Sequence, residues 1–94
     1  MPRARLVLTY DYVDDILEKR GPLRDEHLAN ITREVEAGRL LSAGAVGDPP
    51  TGALFVWTEG NEDAIAAFVA ADPYVKGGLV TGHDVQPWTV VAGA

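Results

Sequence analysis

Residues 53–57 read Ala-Leu-Phe-Val-Trp, and this short run constrains the fold more than any other part of the chain. Successive side chains of a strand point to opposite faces of its sheet, so Leu54 and Val56 share one face while Ala53, Phe55 and Trp57 share the other. Both faces are therefore apolar. Full burial of a Phe or Leu side chain is worth about 1.5–3 kcal/mol, and a contiguous exposed apolar patch is a liability. A strand of this kind belongs in a sheet covered on both sides.

The rest of the chain supplies cover for one side only. Glycine and proline punctuate seven elements. Arg5 to Tyr12 reads as a first strand, with Leu6, Leu8 and Tyr10 on one face and Val7 and Thr9 on the other. Val13 to Arg20 is a short, charged helical pattern ended by Gly21-Pro22. A longer helix follows from Arg24 to Gly38, with Leu28, Ile31 and Val35 as its apolar stripe and Gly38 as its cap. Leu40 to Val46 forms a second strand, in which Gly44 suggests a bulge. The turn signal Gly47 to Gly52 joins it as a hairpin to the third strand, Ala53 to Thr58. Asn61 caps a helix from Glu62 to Ala71, striped by Ile65, Phe68 and Val69 and closed by Asp72-Pro73. Leu79 to Val91 is a last strand region, interrupted by Pro87.

Strand, helix, strand, strand, helix, strand is the split βαβ order of an α+β, ferredoxin-like domain, with both helices on one face of an antiparallel sheet. The bare second face predicts a homodimer packed sheet to sheet as a dimeric α+β barrel; a ligand groove or the C-terminal segment are the alternative covers. Size agrees. The 94 residues are read as a single domain, and a chain this short removes only about 60–65% of its unfolded surface from water.

Composition narrows the chemistry. With no cysteine, there is no disulfide, thiolate metal site or cysteine nucleophile. A net charge of −6 argues against nucleic acid, whose phosphates require clustered Lys and Arg. Gly77-Gly78 lacks the spacing of a phosphate loop, no Gly-x-Ser-x-Gly elbow occurs, and the two histidines show no metal-ligand spacing. No apolar run approaches the roughly 20 residues of a membrane span. The stretch after Met1 turns acidic at Asp11, too soon for a signal-peptide apolar region. The expectation is a cytoplasmic protein with no membrane partner, no metal and no cofactor.

Two histidines can be weighed singly. His27 lies four residues before Ile31 and borders the apolar stripe, where an imidazole can face a pocket and titrate near neutrality. The competing reading is a structural imidazole satisfied by a backbone group. His83, beside Asp84 in the last strand, reads as an exposed strand residue. Asp72 is the best-placed carboxylate, able to orient an imidazole if the fold brings the two together; otherwise it is a helix-ending Asp. Arg24, three residues before His27, could hold a substrate carboxylate bidentately or pair with Asp25 or Glu26 on the surface. Trp57, Trp88 and Tyr74 could line a pocket for a planar ligand or serve core and dimer packing.

The pieces together resemble the YCII-related (YciI-like) family. The resemblance rests on Arg24-Asp25-Glu26-His27-Leu28, on Gly38 to Gly44, on Thr51-Gly52-Ala53-Leu54, on Ala70-Ala71-Asp72-Pro73-Tyr74-Val75-Lys76-Gly77-Gly78-Leu79, and on Val85-Gln86-Pro87-Trp88. It spans Arg5 to Val91 and departs from the family's shorter pattern at Tyr12–Arg20, where an extra acidic helical segment can reshape a pocket entrance. It implies a dimeric ferredoxin-like fold with a His–Asp pair mapping onto His27 and Asp72, and with Arg24, Tyr74 and Trp88 at positions near the pocket or in packing. One branch of the family is similar to dehydrochlorinases of chlorinated hydroxyquinols.

The sequence therefore predicts a small enzyme without a cofactor, doing elimination, dehydrochlorination or isomerisation on a small cyclic or aromatic anion. His27 would move the proton, Asp72 orient it, and Arg24, Tyr74 and Trp88 bind the ligand. The alternative is a non-catalytic module that binds a small molecule or serves an accessory role.

Overall fold

The structure, a computed structural model, describes residues 2–93. Four strands form one antiparallel sheet: β1 (Arg3–Tyr12), β2 (Leu40–Val46), β3 (Gly52–Thr58) and β4 (Val80–Val90), in the order β2-β3-β1-β4. Four helices connect them: α1 (Ile16–Lys19), α2 (Gly21–Glu36), α3 (Glu62–Ala71) and α4 (Pro73–Lys76). This is the α+β, ferredoxin-like arrangement.

The alternation read from the sequence sets the faces. Leu6 lies opposite Trp57, Leu8 opposite Phe55 and Tyr10 opposite Ala53, and all six are buried. Ile65, Phe68 and Val69 of α3 close over them. Phe68 meets both Phe55 and Trp57 edge to face, with ring centroids 5.4 Å apart in each pair. The opposite face is bare. Val7, Leu54 and Trp88 line one apolar groove there, with Leu54 40% and Trp88 45% exposed.

Several local expectations change. Gly21-Pro22 does not end α1 so much as start α2, because a proline in the first helical turn loses no hydrogen bond. Pro87 does not interrupt β4, an edge strand whose outer N–H positions need no partner. The register shift in β2 falls between Leu40 and Ser42 rather than at Gly44. Asn61 occupies the N-cap of α3, yet its amide donates to the Thr58 carbonyl at 3.1 Å instead of accepting from the helix. Gly38 follows α2 with φ +78°, the left-handed cap expected of it.

The apolar stripe of α2 is rotated from the one predicted. Leu28 is 41% and Val35 47% exposed, whereas the buried side chain of this helix is His27. The inward face is a different stripe, Arg20, Arg24, His27 and Ile31, at helical spacings of i, i+4, i+7 and i+11.

Gly52 shows how tightly β1 and β3 approach. A β-carbon there would collide with the Tyr10 carbonyl oxygen, a backbone atom that cannot swing aside. Gly44, by contrast, faces open space. Gly52→Ala is expected to lower unfolding free energy by about 1–3 kcal/mol, against less than about 0.5 kcal/mol for Gly44→Ala. Urea denaturation of the two variants checks this.

Candidate functional site

The site is built around a carboxylate withdrawn from water. Pro73 forces Asp72 out of the helical region, to φ −69° and ψ 120°, so α3 stops at Ala71 and the Asp72 side chain turns inward at the start of α4. Asp72 is fully buried. A buried carboxylate is costly unless its oxygens are satisfied, and here three donors from three elements reach it. The Tyr10 hydroxyl of β1 donates to Oδ2 at 2.7 Å. The Tyr74 backbone N–H of α4 donates to Oδ1 at 3.0 Å. His27 Nδ1 of α2 lies 2.8 Å from Oδ1.

This last contact fixes a tautomer. A carboxylate only accepts, so His27 Nδ1 carries the hydrogen and Nε2 is the lone-pair nitrogen when the ring is neutral. The ring is held flat as well: Tyr74 stacks on it with centroids 3.7 Å apart and planes within 5°. Both restraints leave Nε2 as the ring nitrogen with no hydrogen-bond partner among the described residues.

His27 opens onto a cavity of about 220 Å³ between α2 and the β2–β3 hairpin. Small residues make the space. Ala43 lies opposite Phe55 and Ala45 opposite Ala53, so the helix side of the hairpin carries little bulk beneath α2. Leu28 and Ile31 supply an apolar wall. Tyr12, Tyr74, Arg20 and Arg24 complete the lining. Among the described residues Arg24 makes no ion pair with Asp25 or Glu26. Among these residues, too, no group of three or more His, Cys, Asp and Glu gathers that could hold a metal ion.

The phenols feel this environment. Burial pushes Tyr10 far above its ordinary range, and the hydrogen bond to Asp72 adds to the effect. Burial likewise lifts Tyr12 to about 12, while Arg20 and Arg24 pull the other way. Tyr74 is raised by burial against the same two guanidiniums.

Of the residues singled out from sequence, His27, Asp72, Arg24 and Tyr74 come together. Trp88 does not join them. Its register opposite Arg5 puts it on the bare sheet face, with Val7 rather than with Leu6 and Leu8. Trp57 lies wholly in the core. His83 is exposed, as expected. Tyr10, Tyr12 and Arg20 were missed. Tyr10 carried a usable signal: a hydroxyl on the core face of a strand needs a buried partner. Arg20 sits four residues before Arg24, but the glycine and proline between them hid the shared stripe.

Raised phenol groups have a consequence for stability. The unfolded chain releases these protons near pH 10, whereas folded Tyr10 and Tyr12 keep them to higher pH. Between those limits the folded state binds more protons, so stability is complete below about pH 10 and falls as pH rises above it. Tyr10→Phe is expected to flatten that alkaline fall by about one proton's worth, read from denaturation midpoints across the range.

Comparison with known proteins places this geometry. The model of the YCII-related domain matches residues 4–89. Protein YciI of Escherichia coli O6:H1 (strain CFT073) is 35% identical over 86 residues, covering 82% of this chain and 88% of that protein. Among solved structures, 5-chloro-2-hydroxyhydroquinone dehydrochlorinase (TftG) of Burkholderia phenoliruptrix AC1100, in complex with 2,5-dihydroxybenzoquinone, superposes with a TM-score of 0.73 at 21% identity over 89% of this chain and 92% of that one. A dimeric ferredoxin-like protein from an uncultured marine organism gives a TM-score of 0.54 at 14% identity, over 100% and 92%. At these identities the two structures share the fold.

Proposed function

The chain belongs to the YCII-related family, and we propose that it is an acid/base enzyme acting on a small cyclic or aromatic anion by elimination, dehydrochlorination or isomerisation. The observation that carries the reading is the buried His27–Asp72 contact of 2.8 Å at the edge of a cavity. His27 Nε2 takes a proton from the ligand and returns it to the product or to water. Asp72 holds the tautomer and stabilises the imidazolium, and the Tyr74 ring keeps the imidazole in plane. Arg24 binds the anionic group.

Cavity size suits a single ring. An apolar cavity of about 150 Å³ holds benzene, and about 220 Å³ leaves space for a few substituents. The fold shared with TftG, a dehydrochlorinase, supports the reaction class. The test is turnover of 5-chloro-2-hydroxyhydroquinone and of a panel of hydroxylated aromatic acids and lactones, followed by absorbance and chloride release. His27→Gln is expected to lower the rate by about 10²- to 10⁴-fold, assayed below a melting temperature that itself falls because buried Asp72 loses a donor. Turnover that survives in this variant removes His27 from the mechanism. Binding without turnover in the unaltered protein favours a non-catalytic binding module.

The second part of the proposal is a homodimer through the bare sheet face. Val7, Leu54 and Trp88 give that face its apolar centre, and the dimeric ferredoxin-like neighbour supports dimerisation. Trp88 then acts in packing between copies rather than at His27. Leu54→Glu would place two like charges in a desolvated seam. It is expected to convert a dimer into a monomer in sedimentation equilibrium; an unaltered protein that sediments as a monomer overturns the dimer.

A further inference from the structure

The charge of the cavity is at odds with the charge of the chain. The protein has 14 acidic and 8 basic side chains, yet the residues lining the cavity include Arg20 and Arg24 and no carboxylate. Two of the other basic side chains are paired, Arg39 with Glu34 through two contacts of 2.8 Å and Lys19 with Asp15 at 3.1 Å; what sets Arg20 and Arg24 apart is that both line the cavity. Among the described residues neither Arg20 nor Arg24 has an ion pair. Both are half-buried on the inward stripe of α2 that also carries His27. Two guanidiniums held beside an apolar floor without a counter-charge leave the cavity electrostatically incomplete.

Counting charges shows what completes it. Behind His27 stands one carboxylate, Asp72. While the imidazole is neutral, two guanidiniums against one carboxylate leave a single positive charge. Once His27 holds a second proton, the site carries two. A singly charged ligand thus neutralises the resting site, and once the proton has moved the doubly charged ring meets the imidazolium and draws more strongly on both guanidiniums. An interaction that strengthens only as charge develops lowers the barrier, whereas one present throughout only tightens binding.

We propose that Arg20 and Arg24 form a two-guanidinium subsite for a monocyclic ring that enters as a monoanion and becomes a dianion when His27 removes a proton. The inference rests on the acid/base reading of His27 and deepens it by naming the ligand's charge states. In the step, an O–H or C–H bond of the ring breaks and an N–H bond forms at His27 Nε2. The electron pair stays on the ring, whose second negative charge meets the second guanidinium. Hydroxylated aromatic acids and acidic hydroxyquinones have this chemistry; neutral rings and ring cations do not. Arg20 is the added specificity residue, contributed where the Tyr12–Arg20 segment meets α2.

The test is calorimetric titration with three rings of graded charge: phenol, benzoate, and 2,5-dihydroxybenzoquinone, which is doubly ionised at neutral pH. The expected order in the unaltered protein is dianion tightest and phenol weakest. Arg20→Gln should weaken the dianion about tenfold or more and benzoate by no more than about threefold, and Arg20→Glu should weaken the dianion further. Equal dianion affinity across Arg20, Gln and Glu overturns the subsite, as does failure of all three rings to bind the unaltered protein. A failure of the acid/base reading shows elsewhere, as turnover that persists in His27→Gln while the graded loss of dianion binding at position 20 remains.

Discussion

Asp72 is the point on which the structure turns. A carboxylate with no exposure to water is tolerated only when its lone pairs are met, and here β1, α2 and α4 each supply a donor. The satisfaction is geometric as well as energetic. Tyr10 reaches from the sheet, His27 from the long helix and the Tyr74 N–H from the short one, so the carboxylate joins three elements at one point. Removal of a single donor would strand part of a buried charge, a larger cost than the worth of one hydrogen bond. The same network fixes His27 at the edge of the cavity, so the contact that steadies this end of the fold also sets the orientation of the imidazole.

The cavity follows from what the sequence omits. The hairpin offers Ala43, Ala45 and Ala53 to the helix side, where larger residues would have filled the gap beneath α2. α2 in turn faces the cavity with Arg24 and His27 beside Leu28 and Ile31, and leaves Val35 to solvent. Packing is given up at this edge of the sheet, while Phe55, Trp57 and Phe68 close the other part of the same face tightly. A well-packed half and a hollow half within one small domain is the arrangement expected when a binding site is set on a fold with little core to spare.

Much of the fold was legible because its signals are local. Strand alternation placed Leu6, Leu8, Tyr10, Phe55 and Trp57 on the buried face, and the turn residues marked the hairpin and the end of α3. The bare face was legible from Leu54 and Val56 alone. The rotation of α2 was not. Hydropathy assigned its inward face to Leu28, Ile31 and Val35; the structure keeps Ile31 inward but turns Arg24 and His27 in beside it, with Leu28 and Val35 largely exposed. Departures of this kind are expected where function overrides packing, and the misplaced stripe is itself a mark of the site. The pairing of His27 with Asp72, 45 residues apart, could be conjectured from residue type but needed tertiary geometry to establish. Trp88 went astray for a simpler reason: without the register of β4, an aromatic residue cannot be assigned to a face.

Acid/base chemistry at this site requires one atom, Nε2 of His27, to be the free basic nitrogen. Nitrogen NMR on protein labelled with ¹⁵N-histidine observes it directly. The neutral ring should show a protonated Nδ1 and a pyridine-like Nε2, and addition of 2,5-dihydroxybenzoquinone should shift Nε2 while Nδ1 stays hydrogen-bonded to Asp72. A neutral ring protonated on Nε2, or an Nε2 signal indifferent to the ligand, would contradict the account.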